Sequence, residues 1–158
     1  MLRVGKHKFI RDVFLRLDQI CYFGSKQAAD VFPVHLISEM MKLSSDVETV
    51  ATLLALQREA WFAENFLEKV NYDSLIAGYR QLSKENGVDI EKLILKEADG
   101  YVDSAKQYIE EVTRKLDSRE IDATPAIREL CSRHAIDMLN SWMQFRLRAL
   151  TAIHSTSS

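Results

Sequence analysis

The stretch Arg128-Glu129-Leu130-Cys131-Ser132-Arg133-His134 gathers a guanidinium, a thiol and an imidazole within seven positions. A thiol beside a base is the raw material of nucleophilic catalysis, provided that the thiolate is accessible and held by positive charge. Arg128 and Arg133 could supply that charge. Helical geometry argues the other way. At about 100° per residue, Ile127, Leu130, Cys131, His134, Met138, Trp142 and Phe145 fall on one side of a helix. Cys131 and His134 therefore lie one turn apart inside an apolar stripe, which is the setting of packed side chains. Arg128 stands six positions before His134, about 120° away around the axis, so the two diverge. The expectation is a structural histidine whose ring nitrogens are satisfied in the core. Arg128, Cys131 and His134 remain the candidates if the chain does catalysis.

Metal chemistry has one local candidate. His35 and Glu39 are four apart and could present two ligands from one helix face. No Glu-x-x-His, His-Glu-x-x-His or Cys-x-x-Cys occurs in the sequence, so neither a diiron bundle nor a closed zinc site is expected. No Gly-rich loop or Gly-Lys-Ser/Thr cradles a phosphate. The acids around Gly100 in "EADGYVD" miss the positions of a calcium loop. Glu59, Glu64 and Glu68 read as a solvated face beside Arg58 and Lys69. No cofactor is expected.

The elements that would position these groups are helices. Only five glycines and two prolines interrupt 158 residues, and 47% of the chain is hydrophobic. No stretch alternates at period two for long, so no strand is expected. A first, basic helix spans about 6–22 on Phe9, Ile10, Val13, Phe14, Leu17, Ile20 and Cys21. A short helical piece precedes Pro33 and a second runs to about Leu43. Ser45 with Glu48 reads as a capping box for a long helix over about 46–70. That helix is apolar nearly all round, so it must be covered on several sides. A shorter helix stops at Asn86-Gly87. Another starts after Asp89 and reaches about Leu116, with a break or bend expected at Asp99-Gly100. Thr124 and Pro125 open the last helix, about 125–153, and 154–158 reads as a frayed tail. The fold expected is all-α, one domain over 1–158, a bundle of about six helices with the two long ones central.

Net charge is −2 at pH 7. Residues 1–16 carry five Lys/Arg against one Asp, whereas 45–73 carry two against six. Basic ends and an acidic centre suit complementary packing within the chain. They also leave nucleic acid or an anionic surface as partners for the ends. Cys21 and Cys131 read as reduced thiols, which suits the cytoplasm. No apolar run is long enough to span a membrane.

Two resemblances add expectations. The Arg128 to His134 spacing resembles that of the helical HEPN ribonucleases, with Glu129 as a loose match to the polar residue after the arginine. It implies RNA cleavage at a site composed between two copies. "SSDVETVATLLALQREAWFAENFLEKV" is similar to stretches of phasins, through Leu56, Gln57, Glu59 and Trp61. That likeness implies a helical coat on a lipid or polyester granule, although the Ala-rich composition of phasins is missing.

The residues themselves favour a non-enzymatic protein that binds a protein partner or itself, as a homodimer, through apolar helix faces. The last helix carries a second apolar set, Ile136, Leu139, Met143, Leu147 and Leu150, beyond its first stripe. Trp61, Phe62, Phe66, Trp142, Met143 and Leu147 are the residues expected at such a seam, with the tryptophans as anchors.

Overall fold

The computed structural model describes residues 2–156, with the side chains of 5–155. The chain is all-α and 82% helical, and no strand occurs among the described residues. The helices are α1 (Leu2–Ile20), α2 (Ala28–Val31), α3 (Val34–Met40), α4 (Val47–Lys69), α5 (Tyr72–Asn86), α6 (Ile90–Asp117) and α7 (Pro125–Thr156). Two compact units emerge, one of residues 1–58 with 111–134, the other of 59–110 with 135–158. The helices α4, α6 and α7 each contribute a segment to both.

In the first unit, α1 turns Ile10, Val13 and Leu17 inward, a stripe at helical spacing. The all-round apolar part of α4 is its N-terminal half, and there every residue from Val50 to Leu56 is buried. This is why that half can lack a polar face. Polar bonds tie the loops around it. The Ser44 hydroxyl donates to Asp122 at 2.5 Å and accepts the Asp46 N–H at 3.0 Å. The fully buried Thr49 donates through Oγ1 to Asp46 at 2.6 Å and accepts the Asp122 N–H at 2.8 Å.

The start of α4 departs from the expected capping box. Asp46, not Ser45, caps the helix, its carboxylate accepting the Thr49 N–H at 3.1 Å. Glu48 is taken elsewhere: it accepts from Arg16 of α1 at 2.6 Å and from Lys115 of α6 at 3.2 Å. Two cations from distant segments outbid a local backbone bond.

In the second unit, α5 begins at Asn71, whose side chain accepts the Ser74 N–H, and ends at Gly87 with φ +64°. A left-handed residue there is what glycine permits at low cost. The break expected at Asp99-Gly100 does not occur, and α6 runs as one helix through both residues. A mid-helix glycine costs only about 1 kcal/mol. Burial of Ile94, Ala98 and Ala105 on either side of it offsets that cost. Arg146 of α7 also holds Asp99 at 2.8 Å. Thr124 caps α7 as expected, accepting the Ile127 N–H at 3.3 Å. The helix continues to Thr156, so most of the expected tail is helical, while Ser157 and Ser158 lie outside the described residues.

Candidate functional site

The cluster on α7 is split by burial. Cys131 and His134 are buried, at 5% and 8% exposure, among Ile127 and the other core residues of the first unit. Arg128 points outward and faces Asp117 at 3.5 Å, while Arg133 pairs with Glu129 at 3.2 Å. Burial pushes the Cys131 thiol up to about 11, and Arg128 offsets this only in part. A nucleophilic cysteine requires the opposite shift. The thiol should therefore alkylate in the folded protein at pH 8 about a hundredfold more slowly than in the unfolded chain, on ionisation alone. Peptide mass mapping after iodoacetamide, with Cys21 as the half-buried comparison, checks this. Rapid labelling of Cys131 would reopen the nucleophile.

His35 and Glu39 are both exposed on the seven-residue α3. The Glu39 carboxylate is bonded to Lys42 at 3.2 Å. Among the described residues no group of three or more His, Cys, Asp or Glu side chains is placed to hold a metal ion. Open grooves among the described residues include two that take no side chain from these clusters. One, of about 400 Å³, lies along the connector Arg119–Thr124. The other, of about 520 Å³, lies between Tyr79 and the α6 face of Leu93, Lys96, Glu97, Gly100, Tyr101 and Ser104.

The expected seam residues divide cleanly between inside and outside. Trp142 is covered, at 7% exposure, and Phe66 is half-buried. Both belong to an aromatic cluster of the second unit. Tyr101 stacks on Trp142 at 4.6 Å and 18° between planes. Phe66 approaches Trp142 at 5.3 Å and Phe145 at 5.2 Å. The Tyr101 hydroxyl donates to Glu97 at 2.9 Å, and burial with that carboxylate pushes its pKa up to about 12. Nothing in the spacing announced Tyr101 as the partner of Trp142, since 41 positions separate them.

The remaining residues face water. Phe62 rests its ring against Trp142 at 6.3 Å, yet is 56% exposed. Met143 and Leu147 are 58% and 57% exposed, joined on α7 by Ile136 at 63%. These three positions, seven and four apart, share one helix face. Leu150 of the same set packs instead against the buried Ile76, Ile94, Ala149 and Ile153. Trp61 is 44% exposed on α4. Of the residues carrying the phasin likeness, Leu56 is buried, Gln57 and Glu59 are half-buried, and Trp61 alone is exposed. Compared with known families, characterised proteins and solved structures, the chain matches none. No described helix is long and apolar enough to cross a membrane.

Proposed function

We propose that this chain is a non-enzymatic helical interaction protein that self-associates through the exposed apolar faces of the unit formed by 59–110 and 135–158. The observation carrying this reading is the row Ile136, Met143 and Leu147, left in water on one face of α7, with Phe62 and Trp61 of α4 in the same unit also exposed. Isolated exposed apolar residues are ordinary, but neighbouring large ones rimmed by polar side chains mark contact sites. Covering such area returns roughly 25 cal/mol per Å². The chemically capable residues support the same reading by their condition. Cys131 is held protonated, His134 is buried, and Glu39 is bonded to Lys42. The compartment this reading assigns is the cytoplasm, where both thiols stay reduced.

The test is mass in solution. At tens of micromolar the native chain is expected to sediment above its 18.2 kDa monomer mass. The double variant Met143→Glu with Leu147→Glu is expected to sediment as a monomer with unchanged helix content. A native chain that stays monomeric at every concentration, or an assembly indifferent to both charges, would overturn the reading.

A further inference from the structure

We propose that the outer face of the C-terminal half of α4 is covered by α1 of a second copy, in an antiparallel pairing set by charge. This rests on the self-association reading and adds α1, from the other unit, to the surfaces that meet. On α1 the buried residues Ile10, Val13 and Leu17 define the inner side. Opposite them Lys8, Arg11 and Leu15 are all exposed, within about 60° of one another at 100° per residue. Leu15 is 55% exposed, an apolar residue at the end of a basic row. On α4 the exposed residues Trp61, Glu64 and Glu68 form the corresponding row, with Trp61 at its apolar end.

The two rows have matching lengths and opposite polarity. Each spans seven positions, about 10 Å along the axis. Laid antiparallel, Leu15 meets the Trp61 ring, Arg11 meets Glu64 and Lys8 meets Glu68. The middle pair is offset by one position, about 1.5 Å, which the long arginine side chain accommodates. The other acids of α1 do not compete for the same role. Asp18 accepts the Ala28 N–H at 2.6 Å, and Asp12 is half-buried on the flank of the helix. Lys69 on α4 lies about 100° from the centre of the acidic row. A pairing of charged rows sealed by one aromatic contact gives orientation and on-rate more than raw affinity. It would be weakened by salt.

Charge reversal tests it. Lys8→Glu with Arg11→Glu, and separately Glu64→Lys with Glu68→Lys, should each weaken assembly at least tenfold by sedimentation at physiological salt. An equimolar mixture of the two variants should recover the native mass, because the acidic α1 of one then meets the basic α4 of the other. Recovery also shows that both variants fold. Assembly that survives both reversals but is lost on Met143→Glu with Leu147→Glu overturns the pairing and leaves self-association standing. A native chain that never assembles overturns both. Monomers that bind phosphatidylglycerol vesicles through Lys8 and Arg11 would assign the basic row to lipid and overturn the pairing as well.

Discussion

Replacing Phe145 with alanine is expected to remove about 3–5 kcal/mol from the stability of its unit. The ring is 1% exposed and meets Phe66 at 5.2 Å, Tyr101 at 5.8 Å and Trp142 at 6.3 Å, all three edge to face. Truncation loses the transfer free energy of the ring and leaves a void bounded by four other aromatic side chains, Tyr72 at 6.2 Å being the fourth. Those neighbours are rigid and cannot all slump into the space, which places the cost high in its range. Phe62→Ala is the comparison. It touches the same cluster at 6.4 Å from Phe66 but is more than half exposed, so its loss should stay near 1 kcal/mol. Urea denaturation followed by tryptophan fluorescence suits the pair, because both tryptophans of the chain, Trp61 and Trp142, belong to this unit. Equal losses at the two positions would show that Phe145 is not enclosed as described.

The same helix shows what spacing does and does not disclose. The stripe from Ile127 through Cys131, His134, Met138 and Trp142 to Phe145 was legible, since burial on a straight helix follows from a period of 3.6. The same period put Cys131 and His134 on the buried stripe, away from the access that a nucleophile needs. The seam was legible only in part. Trp142 and Met143 are adjacent in sequence and both apolar, yet one is covered and the other exposed. That difference is decided by Tyr101 and Phe66, which arrive from other helices. Local pattern cannot supply them.

The central helix carries the same lesson. Its apolar circumference suggested a surplus to be hidden by another subunit, but the surplus resides in Val50 to Leu56, where the chain covers it. The residues actually left exposed, Trp61 and Phe62, come one turn later. Pattern recorded the amount of apolar surface and not its distribution along the axis. Short-range signals were accurate where the backbone alone decides: Gly87 stops α5 and Thr124 caps α7. They failed at Glu48, where side chains 32 and 67 positions away intervene.

That intervention makes Glu48 the most informative charge in the first unit. Its carboxylate sits between Arg16 at 2.6 Å and Lys115 at 3.2 Å, with its side chain 28% exposed and that of Lys115 18% exposed. It joins three helices, α1, α4 and α6, and lies in the first turn of α4, where negative charge is favoured. The hydrogen bond from Arg16, followed by the bond and charge of Lys115, holds its carboxyl below the usual carboxylate range against the opposing effect of burial. Glu48→Gln keeps the shape and removes the charge, leaving Lys115 mostly covered without its anion. The expected cost is about 2 kcal/mol at pH 7, reduced from the fully buried case because Arg16 reaches solvent. A depressed carboxyl stabilises the fold above its unfolded pKa, about 4.3, and loses that contribution as pH falls through the lower folded value. The gap between native and variant should accordingly be full at neutral pH and close progressively below about pH 4.5. Because this unit contains neither tryptophan, the measurement is amide hydrogen exchange of the buried α4 segment 50–56 across that pH range. A gap that persists undiminished at pH 3 would mean that Glu48 acts through its shape and not its charge.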